Sequence, residues 1–202
     1  VVPGIRGAGE LMRQAMLPTT VRLTCAGCVL LLAATVAPDS LHAQEQAQEY
    51  SVKAAFLFNF FKFVEWPPES VPRKGPLVIG VLGDDPFGHI LDETVEDKTV
   101  LNDRPIVVRR FHNPQDAVMN SQILFVCSSE RKKYEEIIEL LGSAPILTVG
   151  ESEHFTRNGG MIRFMIEEEK VRFEINLPAL RRAKLQPSSK LLKVAKVIGP
   201  EQ

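Results

Sequence analysis

The chain has 202 residues, with 24 Lys and Arg against 25 Asp and Glu and a formal charge of −1. That balance excludes the basic face a nucleic-acid surface needs. Three cysteines in this length are too few for a disulfide scaffold, so a hydrophobic core has to hold the fold.

In chain order, the first recognisable segment is an export signal. Arg22 precedes an uncharged apolar run from Leu23 to Ala37, Pro38 breaks it, and Leu41-His42-Ala43 ends in a small residue before the polar stretch Gln44 to Glu49. A positive flank, a short apolar core and a small-residue exit describe a secretory signal peptide. The run is shorter than the roughly 20 residues that span a bilayer, which disfavours the alternative of an uncleaved anchor. Cys25 and Cys28 lie near the start of the run and not at its end, which argues against a lipoprotein signal. Val1 opens the chain and Met12 and Met16 lie just ahead of the signal, so residues 1–15 read as an over-extended start or as untranslated upstream sequence. The expected division is therefore upstream residues and signal peptide over 1–43, then a single domain over 44–202.

Cleavage after Ala43 takes 43 of 202 residues and leaves 159, a length that suits one core. It also removes three basic residues (Arg6, Arg13, Arg22) and two acidic ones (Glu10, Asp39), so the remainder holds 21 positive and 23 negative charges, a net of −2. Cys127 is then the sole cysteine. No internal disulfide is expected.

Tyr50 to Glu65 reads as a helix stopped by Pro67-Pro68. Its apolar positions run nearly all round, relieved only by Lys53, Asn59, Lys62 and Glu65. Such a helix is buried on two sides or presents an apolar face to a partner. Leu77–Leu82 is a continuous apolar run of the kind found in a strand buried on both faces. Asp85 and Pro86 predict a helix start running to about Val95. Pro105–Arg110, Gln122–Cys127 and Pro145–Val149 are further strands, and the connection between the first two of these shows no helical period. Ser128-Ser129 predicts a helix cap, with Gly142 past the helix end. Met161–Ile166 and Val171–Asn176 form a hairpin around Glu167–Lys170. Pro178 opens a short helix, and a last helix is expected over Lys190–Val197. Strands alternating with helices predict an α/β fold. The expected form is a mostly parallel sheet with flanking helices in three layers and an antiparallel C-terminal hairpin at the edge.

No catalytic set emerges. There is no G-x-S-x-G elbow, H-E-x-x-H, phosphate loop or dinucleotide fingerprint. Cys127 ends an apolar strand, where a thiol is ordinarily inert packing. His154 beside Glu151 and Glu153 has no spacing that enforces metal convergence. No metal, no cofactor and no catalytic residue is therefore expected. Ligand binding has a geometric basis, because open parallel sheets bind outside the carboxyl ends of their strands. Those ends carry Gly83, Asp84, Asp85, Ser128, Ser129, Gly150 and Glu151, and the first six are the expected ligand-binding residues.

Taken together, several segments resemble one family. Tyr50–Pro67 (YSVKAAFLFNFFKFVEWP) resembles the opening helix of the YfiR-type periplasmic proteins, and Val78–Phe87 resembles their first strand and turn. Gly159–Phe164, Val171–Asn176 and Ser189–Ala195 lie where the family's closing pattern would put them. The resemblance implies a small periplasmic regulator that binds the periplasmic sensor region of an inner-membrane diguanylate cyclase, represses it, and so controls cyclic-di-GMP output and biofilm formation. The redox-responsive cysteine pairs of the family's best-known member are not matched here. Partner contacts are expected on the apolar first helix and the hairpin, at Phe58, Phe61, Phe173, Glu174 and Asn176. The competing expectation is that Phe173 packs the core while Glu174 and Asn176 decorate the edge. A small-molecule ligand at the strand ends is the alternative function, and a homodimer is a further possibility.

Overall fold

The computed structural model describes residues 38–71 and 74–199. The expected signal segment up to Ala37 lies outside the described residues. The first helix, α1 (Pro38–Phe63), begins well before Tyr50 and ends two residues sooner than expected. Val64-Glu65 (β1) then leaves it as a short strand, pairing antiparallel with β9 (Gln186–Pro187).

The main sheet has eight strands. In chain order they are β2 (Leu77–Leu82), β3 (Thr99–Val100), β4 (Arg104–Phe111), β5 (Ile123–Val126), β6 (Leu147–Gly150), β7 (Ile162–Glu167), β8 (Lys170–Asn176) and β10 (Lys196–Ile198). Across the sheet the order is β10-β8-β7-β6-β5-β2-β4-β3. Pairings from β7 through β6, β5 and β2 to β4 are parallel; β7/β8 and β3/β4 are antiparallel. Every residue of β2, β5 and β6 is buried, as continuous apolar runs demand of strands covered on both faces.

Side-chain alternation divides the core in two. Ile79, Val81, Phe125, Leu147 and Val149 face one layer, where α1, α2 (Ile90–Val95), α5 (Leu177–Arg182) and α6 (Ser189–Val194) contribute Phe60, Leu91, Leu180 and Leu191. Leu82, Leu124 and Val126 face the other, where α3 (Pro114–Asn120) and α4 (Tyr134–Leu141) contribute Ala117 and Ile137. This is the expected three-layer α/β fold.

Four local expectations are corrected. The helix expected from Asp85 begins only at Ile90, because the Asp85 carboxylate accepts from the Phe87 amide in a turn (2.8 Å) and Gly88 follows at φ +54. The connection between β4 and β5, expected to be irregular, contains α3, capped by Asn113 with Pro114 in its first turn. Ser128–Lys133 is a 3-10 turn ahead of α4. The last helix stops at Val194, and residues 196–198 become β10, parallel to β8 beside Glu174–Asn176. Backbone pairing to an open strand there replaces a final helical turn that would have faced solvent. The hairpin thus extends the sheet on its far side as expected, with one three-residue strand outside it.

Candidate functional site

Because β2, β5 and β6 are parallel, their carboxyl ends meet at one end of the sheet. All six residues expected to bind ligand come together there. Gly83 takes φ +98, and a β-carbon on it would lie 2.5 Å from the Ser129 hydroxyl. That hydroxyl accepts from the Asp84 amide at 2.9 Å. Asp85 accepts from the Arg110 guanidinium at 2.8 Å, and the same guanidinium reaches both oxygens of Asp92 and the Gly88 carbonyl. The hydrogen bond from Arg110 holds the Asp92 carboxyl below the usual carboxylate range. Ser128 donates to Glu151 at 3.2 Å. Gly150 is buried beneath the Phe155 ring, 2.8 Å from where a β-carbon would sit.

Sequence reasoning missed the centre of this cluster. Lys53 of α1 is only 3% exposed, donates to Glu151 at 2.7 Å and pairs with Glu49 as well. The Tyr50 hydroxyl lies 3.3 Å from both oxygens of Glu151, and burial followed by the Glu151 charge raises its pKa. The signal was present: Lys53 is a charge on the buried stripe of an oily helix, and a buried ammonium requires a carboxylate partner. The result is a closed polar seam that ties α1 to the strand ends. Within it Lys53, Tyr50 and Ser128 meet on Glu151, and Arg110 meets Asp85, while the Asp84 carboxylate faces solvent.

The seam offers little for catalysis. Burial first, then the nearby carboxylates of Asp85 and Glu151, pushes the Cys127 thiol up to about 12. Relative to an ordinary thiol near 8.5, that lowers the reactive thiolate by a few thousandfold, on the order of 10³. Iodoacetamide at pH 8 is expected to leave Cys127 unlabelled in the folded protein and to label it fully in urea. Rapid labelling without denaturant, followed by mass spectrometry, would show an accessible thiolate instead. Among the described residues no cluster of His, Cys, Asp and Glu could hold a metal ion.

Of the five residues expected to touch a partner, four are buried and Asn176 is half-buried. Phe61 is 1% exposed against Trp66, with ring centroids 5.4 Å apart. Phe58 is buried under the ammonium groups of Lys62 and Lys98. Phe173 packs on Phe56 and Phe60, with centroids at 5.1 and 5.6 Å. Glu174 is buried, accepting from the Thr156 hydroxyl and ion-paired with Arg163 at 2.8 Å. Asn176 caps α5 through the Ala179 amide and donates to the Thr156 carbonyl. A partner cannot reach the three phenylalanines or Glu174 in this conformation. The reason is that α1 is one-sided: Ala54, Leu57, Phe58, Phe60 and Phe61 form a single broad buried stripe, while Ser51, Val52, Ala55 and Lys62 face out.

Open depressions among the described residues include two that α1 helps to line. A cavity of about 800 Å³ is lined by Phe61, Lys62, Trp66, Val100, Leu101 and Arg104 among others, and the Trp66 indole N–H beside it has no protein partner. A smaller groove of about 250 Å³ lies between α1 and α6, with Phe56, Phe60, Phe63 and Leu191 in its lining and Lys190, Val194 and Asn59 beside them. Among the described residues no helix is long and apolar enough to cross a membrane.

Comparison with known proteins adds the following. The family model DUF4154, described as YfiR/HmsC-like, matches residues 50–196. No curated protein matches the chain. Among solved structures, a conserved domain protein from Vibrio cholerae O1 biovar El Tor str. N16961 superposes with a TM-score of 0.50 at 11% identity, covering 71% of this chain and 59% of that one. At that identity the likeness is one of fold alone, and the match spans under two thirds of the Vibrio chain.

Proposed function

This chain belongs to the YfiR/HmsC-like family, and from that premise we propose that it docks on the periplasmic sensor region of an inner-membrane signalling protein, a diguanylate cyclase or similar enzyme, and represses it. The family is one of periplasmic regulators of cyclic-di-GMP signalling, not of catalysts. In this reading residues 1–43 direct export and are removed, and residues 44–202 act as a non-enzymatic binding domain.

The observation that carries the reading is the closed seam at the strand carboxyl ends. An enzyme or small-ligand binder of this sheet type keeps its polar groups there free for a ligand. Here Arg110 and Lys53 already engage the carboxylates of Asp85 and Glu151, and Ser129 takes the Asp84 backbone amide, leaving only the exposed Asp84 carboxylate open. Recognition then falls to the outer surface, as in a protein that works by contact with another protein.

Deleting the gene in its own cells is expected to raise cyclic-di-GMP several-fold, with restoration by the wild-type chain. The chain recovered from the periplasmic fraction should begin at Gln44 by mass spectrometry. Unchanged cyclic-di-GMP in the deletion strain, or recovery of the chain only from the cytosol, would overturn the reading.

A further inference from the structure

The run from Leu177 to Gly199 contains no Asp or Glu and six basic residues: Arg181, Arg182, Lys184, Lys190, Lys193 and Lys196. All six are exposed, and none makes an ion pair among the described residues. With +6 here and −2 over residues 44–202, the rest of that stretch carries −8. A nearly neutral domain therefore concentrates positive charge on its last stretch, which holds α5, α6 and the outer strand β10.

Of these elements α6 borders the α1/α6 groove, where Lys190 stands beside the apolar side chains of Phe56, Phe60, Phe63 and Leu191, and Lys193 and Lys196 follow Lys190 along the chain. Val194 at the groove is 60% exposed, and Val197 on β10 is 44% exposed. We propose that this groove and its basic rim receive an acidic amphipathic helix of the membrane partner, apolar side chains entering the groove and carboxylates meeting Lys190, Lys193 and Lys196. The proposal rests on the regulatory reading above and names the surface and the partner chemistry that reading leaves open.

Three observations select this occupant. The groove, at about 250 Å³, falls below the roughly 300–1,000 Å³ of small-molecule pockets and suits inserted side chains. An amphipathic helix supplies such anchors at i, i+3, i+4 and i+7. A lipid surface is recognised by protruding aromatic and large apolar groups, whereas here the aromatic rings are recessed and the protruding side chains are two valines. Unpaired rim lysines match a carboxylate-bearing segment and would steer its approach.

The test uses the chain purified from the periplasm as the cell makes it. The probes are a synthetic helix with leucines on one face and glutamates on the other, a twin in which lysines replace the glutamates, and phosphatidylglycerol vesicles. The glutamate helix should bind and the lysine twin should not. The combined substitution Lys190→Glu, Lys193→Glu and Lys196→Glu should weaken binding about tenfold or more, and salt should weaken it further. Val194→Asp should weaken binding too, with an unchanged thermal melt. Equal binding of both helices, no binding of either, wild-type affinity in the triple variant, or vesicle binding without helix binding each overturns the proposal. In cells, a triple variant that still lowers cyclic-di-GMP like the wild type sinks this surface and leaves the regulatory reading standing. A wild-type chain with no effect on cyclic-di-GMP, together with tight binding of the glutamate helix, sinks the reading and keeps the groove.

Discussion

Replacing Phe58 and Phe61 together by serine should unfold this protein and not merely strip it of a docking face. Both rings are buried, Phe61 completely enough to hold Trp66 against the end of α1. Removing a buried phenylalanine side chain costs about 3–5 kcal/mol, and leaving a hydroxyl in its place adds desolvation. Two such losses approach the whole stability of about 5–15 kcal/mol that a domain of this size possesses. Urea titration followed by circular dichroism should show the double variant without a folded baseline at room temperature. A cooperative transition at the wild-type midpoint would place these rings outside the core. The matched control is Val194→Ser, which should shift stability by no more than about 0.5 kcal/mol, as surface changes do.

Glu174→Ala is expected to be nearly as damaging for a different reason. Glu174 on β8 lies opposite Arg163 on β7 and neutralises it within the sheet, while also accepting from the Thr156 hydroxyl. Deleting it leaves a guanidinium with only the Glu153 carbonyl and a buried hydroxyl with no acceptor. Breaking a buried pair from one side costs about 3–5 kcal/mol. Pairing the change with Arg163→Met, and using Glu174→Leu to fill the space, should recover most of that loss in the same urea assay. A single Glu174→Ala variant within about 0.5 kcal/mol of wild type would show that the pair contributes little.

The parts of the fold legible in the sequence were those governed by local pattern. Leu77–Leu82 appears as a strand with the expected ends because six apolar residues flanked by Pro76 and Gly83 admit little else. The hairpin is legible for the same reason, since Val171–Asn176 alternates and Gly159-Gly160 marks its approach. What failed required knowledge of neighbours. Residues 196–198 have a composition that continues α6, and only the presence of β8 beside them makes a strand. The outward appearance of α1 misled because a list of apolar positions does not say how wide a sheet lies beneath. Phe56, Phe60, Phe164 and Phe173 form one stack only after β7, β8 and α1 are superimposed. For the site, the strand-end residues were found because topology alone places them. Lys53 and Arg110 were not, because their roles depend on partners 98 and 25 positions away.

The shortness of β10 has a consequence for how the molecule behaves in a crowded compartment. It pairs only with Glu174–Asn176, so on the side of β8 away from β7 the backbone from Lys170 to Phe173 has no strand beside it among the described residues. An open edge of this kind invites another chain to add on. At the tip, Glu168 and Glu169 both adopt positive φ, at 51° and 59°, positions where asparagine and glycine would sit more comfortably. Glutamates there trade backbone ease for charge, and with Glu167, Lys170 and Arg172 they surround the bare edge with solvated ions. An incoming strand would have to desolvate those ions before its first hydrogen bond formed, a cost that disfavours edge-to-edge pairing of copies.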